Sequence, residues 1–198
     1  PHRRTEHLED IAQAARHMAG LIDEVLLLGR IEAGRLAFQP RSIDLSTFCR
    51  RLAEETAQAT ASRCIIRVSC PDRLPPALSD ENILRHVIGN LLSNGVKYST
   101  AGSAVTLSLA RVGSDVVITV TDRGIGIPLE DQPRLFELFY RGRNVGELPG
   151  TGLGLVIVKR CVVVHGGDVQ LHSHSGCGTT VIVRLPVFAS PEVPPSQT

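Results

Sequence analysis

The chain lacks several features that would point to particular classes of protein. No apolar run in its 198 residues approaches the roughly 20 residues that cross a bilayer, and the N-terminal stretch PHRRTEHLED is no signal peptide. Charge is balanced, with 21 Lys and Arg against 20 Asp and Glu, so no nucleic-acid partner is indicated. Five cysteines without C-x-x-C spacing argue against disulfides and zinc. We therefore expect a soluble, cytoplasmic domain with reduced thiols and no membrane segment.

Two common phosphate-binding motifs are absent as well. After Gly150 and Gly152, the sixth position of a G-x-G-x-x-G turn is Leu155, and no Gly-Lys-Ser/Thr of a P-loop occurs. Instead, LPGTGLGL precedes an apolar segment from Leu155 to His165 that a Gly-Gly pair can terminate. Its length and stop signal favour a helix, although its β-branched residues would also suit a buried strand. If it is a helix, the free N–H groups at its start favour an anion.

Residues 1–38 have the pattern of a long helix. Apolar residues recur at alternating spacings of three and four, after an N-cap at Thr5 and up to about Gly34. This pattern favours packing against a partner helix in a bundle over a helix that lies on its own domain, so a homodimer is expected. Pro40 blocks continuation of the helix. The recurring positions are Leu8, Ile11, Ala15, Met18, Ile22, Val25 and Gly29.

Residues 39–187 have the pattern of alternating helices and antiparallel strands. Helices are predicted at 43–62, capped by Asp44 or Ser46, and at 80–98. Strands are predicted at 64–70 and in two hairpins, which turn at Gly113-Ser114 and at Gly176 to Gly178. The fold class is therefore α/β, as a two-layer sandwich with a mixed, largely antiparallel sheet. Residues 188–198 are rich in Pro and Ser and indicate a disordered tail or linker.

The predicted helix DENILRHVIGNLLSNGVKYS carries a narrow polar stripe. At about 100° per residue, Asn90, Asn94 and Lys97 fall within about 80° of His86, beside an apolar arc. Asparagine is a poor helix former, so two of them here suggest a ligand site, although a merely solvated face is an equal alternative. Amide carbonyl oxygens suit Mg²⁺, and a lysine suits phosphate.

A glycine turn and an arginine-bearing segment follow. Asp122 ends a predicted strand before Gly124 and Gly126, and this arrangement suits recognition of an amino-bearing base or an ordinary Asp-x-Gly turn. Further on, residues 128–149 (PLEDQPRLFELFYRGRNVGELP) would form a mobile lid that carries Arg141 and Arg143, with Phe136 and Phe139, in helical register, as its anchors.

Four stretches together resemble a known family. NLLSNGVKYS, DRGIGIP, LFELFYRG and GTGLGL, in this order, resemble the asparagine, first glycine, phenylalanine and second glycine boxes of sensor histidine kinases of two-component systems. LIDEVLLLGRIEAGRLAF is similar to the second helix of their dimerization and phosphotransfer domain. The resemblance implies a histidine-kinase/gyrase-type ATPase fold at 39–187 and that second helix at 1–38. Because His2, His7 and His17 lack the family's His-Glu context, the first hairpin helix and the phosphoacceptor are expected outside this chain.

The resemblance also implies a site for ATP and Mg²⁺. Asn90 would be the Mg²⁺ ligand, Asn94 and Lys97 would hold the phosphates, and Arg141 would approach the γ-phosphate from the lid. His86 stands where relatives carry a residue that assists the chemistry, with an ordinary helix-surface histidine as the alternative.

The resemblance also implies which residues contact the adenine base and which residues of the glycine turns contact the nucleotide. Tyr98 would pack on the adenine, and Asp122 would accept a hydrogen bond from its exocyclic amine. The remaining nucleotide contacts implied by the two glycine boxes are Gly124, Gly126, Ile127, Gly150, Thr151, Gly152, Leu153 and Gly154.

The implied activity is that of a protein-histidine kinase. The γ-phosphate of MgATP would pass to a histidine outside this chain and then to an aspartate of a response-regulator receiver domain. Two alternatives are a nonenzymatic nucleotide-binding regulatory module and a related ATPase of the same fold, such as a gyrase-type clamp.

Overall fold

The computed structural model describes residues 2–71, 74–146 and 148–188, except for the side chains of residues 2–14, 16 and 17. The chain divides into two compact units, residues 1–37 and residues 38–198. Among the helices so described, none combines the length and apolarity that crossing a bilayer requires.

The first unit is a single long helix, α1 (His2–Glu32). It ends in a Schellman motif, in which Gly34 has a φ of 64° and the N–H of Arg35 donates to Arg30 O over 2.8 Å. The predicted helix and its end near Gly34 are confirmed. The predicted N-cap at Thr5 is wrong, because the helix already begins at His2. Two of the predicted seam positions, Leu8 and Ile11, lie outside the described side chains.

The second unit contains helices, strands and two short 3₁₀ turns. The 3₁₀ turns are Gln132–Arg134 and Arg143–Val145. The helices are α2 (Leu45–Ala59), α3 (Glu81–Tyr98) and α4 (Gly154–Val164). The strands are β1 (Arg41–Ile43), β2 (Ile65–Ser69), β3 (Ala77–Ser79), β4 (Ala104–Val112), β5 (Asp115–Thr121), β6 (Asp168–His174) and β7 (Gly178–Pro186).

Five strands form one mixed sheet in the order β2-β4-β5-β7-β6. The β2–β4 pair is parallel and the other neighbours are antiparallel, so both predicted hairpins, β4–β5 and β6–β7, are confirmed. A separate antiparallel pair, β1 with β3, was not predicted, because each strand has only three residues and neither sequence, RSI or ALS, alternates apolar and polar residues.

The core lies between one face of the sheet and the three helices. Alternate residues of the central strands are buried, as in β5, where Val116, Ile118 and Val120 face inward. Helices α3 and α4 pack against each other and against this face, and α2 packs against α3 and β2. The predicted two-layer α/β sandwich is thereby confirmed.

Helix α4 confirms the helical interpretation of its segment and excludes the strand alternative. Its β-branched residues are tolerated because Val156, Ile157 and Val158 are buried in the core, where packing outweighs helix propensity.

The C-terminal tail predicted at 188–198 is described only at its first residue. Phe188 is buried under the guanidinium of Arg111, 4.9 Å from the ring centroid, and its N–H donates to Ser114 O. Phe188 therefore packs against the folded unit, and residues 189–198 lie outside the described part of the chain.

Candidate functional site

The polar stripe of α3 lies against the second glycine turn. A Cβ placed on Gly154 would lie 2.9 Å from Asn90 Oδ1 and 3.5 Å from Asn94 Nδ2, and one on Gly150 would overlap Lys97 Nζ. The structure therefore brings together two segments that are some 60 residues apart on the sequence. Glycine at these positions leaves room beside the amides and the ammonium group.

The orientation of Asn90 is set by its own helix. Its Nδ2 donates to His86 O over 2.8 Å, which turns the carbonyl oxygen toward Gly154. Such an oxygen is a suitable Mg²⁺ ligand beside nucleotide phosphates. The described residues contain no group of three His, Cys, Asp or Glu side chains that could hold a metal. His86 is half-buried one turn before Asn90.

The start of α4 lies in the same region. Its N-cap residue, Leu153, supplies no side-chain hydrogen bond, whereas Thr151 Oγ1 accepts from the N–H of Leu153 over 3.0 Å. The first-turn N–H groups, beginning at Gly154, therefore lie beside Asn90 and Asn94, which suits an anion.

The end of α3 connects the stripe with the first glycine turn. Tyr98 O accepts from the N–H of Ile125 over 3.1 Å, and a Cβ on Gly124 would overlap that carbonyl group. Lys97 Nζ lies 4.6 Å from the centroid of the Tyr98 ring. Only a glycine at position 124 allows the turn to approach the helix this closely.

Asp122 holds the turn through one of its two carboxylate oxygens. Its Oδ1 accepts from the N–H groups of Gly124 (2.8 Å) and Thr179 (3.2 Å), and Oδ2 has no hydrogen bond within the described residues. Burial raises the pKa of Asp122, against the opposing effect of the two N–H donors. The Asp-x-Gly turn uses only Oδ1, so the same carboxylate is compatible both with an ordinary turn and with recognition of an amino-bearing base.

Arg141 contacts the lid itself. Its guanidinium donates to Leu148 O and, over 3.4 Å, to Gly146 O, while its buried Nε has no hydrogen-bond partner among the described residues. The lid approaches the second glycine turn closely, because a Cβ on Gly152 would lie 2.6 Å from the carbonyl carbon of Phe139. Gly152 has a φ of 73°, which glycine adopts without strain.

The predicted aromatic anchors are only partly correct. Phe136 is half-buried beneath Lys159, whose Nζ lies 4.9 Å from the ring centroid. Phe139 is 66% exposed and has a φ of 62°, so it is no anchor, and its segment is not a continuous helix. Leu135, which is 8% exposed, anchors the segment instead.

Sequence reasoning missed Asp131. This fully buried carboxylate accepts from Tyr140 Oη (2.9 Å), from the N–H of Arg143 (2.8 Å) and from Arg143 Nε (3.0 Å). The backbone N–H of Arg143 contributes most to lowering the pKa of Asp131, followed by the Tyr140 hydroxyl and the Arg143 side chain. In the sequence Asp131 follows Glu130 in a Pro-flanked loop, which resembles an exposed acidic turn.

Comparison with known proteins finds similarity to histidine kinases and related ATPases. Residues 79–189 match the family described as histidine kinase-, DNA gyrase B-, and HSP90-like ATPase. Over 192 residues the chain is 34% identical to the circadian input-output histidine kinase CikA of Synechococcus elongatus, covering 93% of this chain and 25% of CikA. It is 33% identical over 183 residues to the sensor-like histidine kinase SenX3 of Mycobacterium tuberculosis, covering 91% of this chain and 44% of SenX3.

A solved structure shares the fold. Full-length ShkA, determined in complex with AMPPNP, superimposes with a TM-score of 0.77 at 29% identity, over 88% of this chain and 37% of ShkA. The chain thus spans less than half the length of CikA, SenX3 and ShkA.

Proposed function

The chain belongs to the family of histidine kinase-, DNA gyrase B-, and HSP90-like ATPases, and on that premise we propose that it binds MgATP as the catalytic part of a sensor histidine kinase. It would transfer the γ-phosphate to a histidine outside this chain. The observation that carries the proposal is the convergence of Asn90, Asn94 and Lys97 on the glycine turn that begins α4. Residues 39–187 would be the catalytic domain, and residues 1–38 would be the second helix of a dimerization and phosphotransfer hairpin.

The residues of the stripe would bind and orient the phosphates. Asn90 would hold Mg²⁺ through Oδ1, and bound Mg²⁺ would offset the charge of the phosphate oxygens. Asn94, Lys97 and the N–H groups of α4 would hold the phosphate chain in one orientation. That orientation allows a histidine nitrogen to attack in line, so that an N–P bond forms as the P–O bond to ADP breaks.

The other end of the site would bind the base. Tyr98 would pack on the adenine, and Asp122 would accept a hydrogen bond from its amino group through Oδ2. Gly124, Gly126 and Ile127 would border the ring, on a turn that packs closely because both glycines approach other backbone groups too closely for a side chain.

The partners and location follow from the kinase class. The phosphate would pass from the histidine to an aspartate of a response-regulator receiver domain, and the whole protein would work as a homodimer through its helical hairpin. The catalytic part would lie in the cytoplasm, where ATP is available.

Nucleotide binding tests the site. Calorimetry with ATP, ADP and GTP, with and without Mg²⁺, should give Mg²⁺-dependent binding of the two adenine nucleotides only. Asn90→Ala should remove the Mg²⁺ dependence, while Asn82→Ala, an exposed amide on the same helix, should not. Asp122→Asn should weaken the preference for adenine over guanine. Identical binding by all these variants would refute the site.

Phosphotransfer tests the activity. Radiolabelled ATP should label a separately added phosphotransfer hairpin from a sensor kinase with acid-labile phosphate, and should leave His2, His7 and His17 of this chain unlabelled. Release of free phosphate without transfer would indicate an ATPase, and binding without turnover would indicate a regulatory module.

A further inference from the structure

Asp131 is a buried acid at the base of the lid. It lies at the start of a 3₁₀ turn, where its own N–H donates to Pro128 O and its carbonyl accepts from Arg134. Its carboxylate accepts three hydrogen bonds, one from Tyr140 and two from Arg143. A buried carboxylate is costly unless it is fully hydrogen-bonded, so this one fixes its partners firmly.

The partners of Asp131 lie on either side of Arg141. Tyr140 immediately precedes Arg141, and Arg143 follows it by two residues. Tyr140 is held a second time by the guanidinium of Arg134, which lies 4.2 Å from its ring centroid. The backbone path through Arg141 is therefore fixed at both ends, whereas its side chain contacts only lid carbonyl groups within the described residues.

The two lid arginines differ in charge environment. Arg143 forms ion pairs with Asp131 and with Glu130, both at 3.0 Å. Arg141 forms no ion pair within the described residues, and its buried Nε lacks a partner. Asp131 thus neutralises one arginine and leaves the other as the cation that can respond to an added negative charge.

The same segment is tied to the first glycine turn. Asn144 Nδ2 donates to Gly126 O over 2.8 Å, and Gln132 Nε2 donates to Ile127 O over 3.1 Å. Neither hydrogen bond involves the Asp131 carboxylate, so both would still hold the turn that borders the base when Asp131 is replaced.

We infer that Asp131 is a positioning residue, which clamps Tyr140 and Arg143 so that the lid presents Arg141 to the γ-phosphate. The inference rests on the proposed function, because it requires a nucleotide in the site. Asp131 itself contacts no substrate and acts through Arg141.

The experiment uses Asp131→Asn, with Glu130→Gln as the matched control. Glu130 is the neighbouring acid and also contacts Arg143, but it is 77% exposed. Calorimetry would compare MgADP with the Mg²⁺ complex of a nonhydrolysable ATP analogue. Asp131→Asn should weaken binding of the analogue by about tenfold, because it removes an acceptor from a buried charged cluster. MgADP binding should change by less than about twofold, and Glu130→Gln should leave both affinities within about twofold of the unmutated chain.

A double-mutant cycle shows whether Asp131 acts through Arg141. In an Arg141→Ala background, Asp131→Asn should cause no further loss of analogue binding, because the residue that it positions is gone. Hydrogen exchange across residues 141–150 should slow more with the analogue than with MgADP in the unmutated chain, and equally with both in Asp131→Asn. If Asp131→Asn does not fold, Tyr140→Phe removes one donor and should shift analogue binding in the same direction.

Equal weakening of both nucleotides, or a further loss in the Arg141→Ala background, would overturn the inference and leave Asp131 with a structural role only. Failure of the unmutated chain to bind either nucleotide would instead refute the proposed function, and the inference with it.

Discussion

At the scale of single residues, the candidate site depends on glycines, which carry no side chain, as much as on its polar side chains. Gly154 lies close enough to both asparagines that even a methyl group would enter the space between them. Gly89, on α3, has no other group within 4 Å of where its Cβ would be. Substitution of Gly154 by alanine therefore tests the effect of a side chain in the site, and the same substitution of Gly89 tests the effect of replacing a helical glycine alone.

Gly154→Ala should weaken MgATP binding by about tenfold, or about 1.4 kcal/mol, because its Cβ would press on Asn90 Oδ1. Gly89→Ala should leave binding unchanged and raise the free energy of unfolding by about 0.5–1 kcal/mol, as alanine does in an open helix interior. Calorimetry and urea denaturation measure the two effects. Unchanged affinity in Gly154→Ala would contradict the placement of the phosphates beside Asn90.

Gly95 shows a limit of prediction from sequence at this scale. By helix propensity alone, glycine here costs up to about 1 kcal/mol relative to alanine. In the structure, a Cβ on Gly95 would lie 2.9 Å from Val105 Cγ1 on β4, so alanine would require a shift of that buried side chain. The polar stripe on the same helix was predictable from the helical period of 3.6 residues. The close contact between Gly95 and Val105 was not predictable, because it depends on tertiary packing.

His165 should make stability depend on pH. It is 5% exposed, its Nε2 lies 2.6 Å from Ser79 Oγ, and burial lowers its pKa below the ordinary value of 6.5. The unfolded chain therefore binds a proton more readily than the folded one, so stability should be lost as pH falls from about 6.5 toward the lower folded-state pKa.

Urea denaturation at about pH 7.5 and about pH 5.5 should give a lower free energy of unfolding at the lower pH. His165→Gln should reduce this difference, and His172→Gln, at an exposed position on β6, should not. An equal pH dependence in His165→Gln and the unmutated chain would show that other groups cause it.

At the scale of elements, helices with a regular period were predicted well, and the lid was not. Helices α2 and α3 follow from sequence patterns and end signals that lie within each segment, and α4 was predicted from the length of its segment and its Gly-Gly stop signal. The lid is held by hydrogen bonds that Asp131 accepts from Tyr140 and Arg143, 9 and 12 positions further on, and no local pattern encodes them. Phe139 was misassigned for the same reason, since helical spacing carries no information about an irregular segment.

The structure decides between the two predicted caps of α2. Asp44 is the N-cap, and its Oδ1 accepts from the N–H of Thr47 over 3.1 Å while Oδ2 accepts from the Thr47 hydroxyl over 2.8 Å. Ser46 lies inside the first turn.

Asp44→Ala should lower the free energy of unfolding by about 1 kcal/mol, because the first turn of α2 loses its acceptor. Ser46→Ala should change it by no more than about 0.5 kcal/mol. Chemical denaturation of both variants provides the comparison, and a larger loss in Ser46→Ala would contradict the assigned cap.

At the scale of the whole molecule, α1 exposes an apolar surface. Met18, Ile22, Val25 and Leu26 are each more than half exposed. Three of them belong to the predicted seam, so the partner helix of the proposed dimer has a surface on which to pack.

Ile22→Lys together with Val25→Lys should weaken self-association of the chain by about tenfold or more, because two charges would enter the seam. Asp23→Lys, at an exposed position between them, should have little effect. Sedimentation equilibrium measures the association, and MgADP affinity serves as a check on the catalytic domain. Equal association in the double variant would place the contact between chains elsewhere.

The position of β7 has a consequence for how the protein is made. This last strand of the sheet lies at its interior, between β5 and β6, and pairs Asp115 with Pro186. During translation, the edge of β5 that pairs with β7 therefore stays unpaired until almost the whole domain has left the ribosome. Pairing between strands so distant on the chain is slow, and an open apolar strand is prone to aggregate in the meantime. Folding of the domain is thus expected to finish late in synthesis, after β7 has been inserted between β5 and β6.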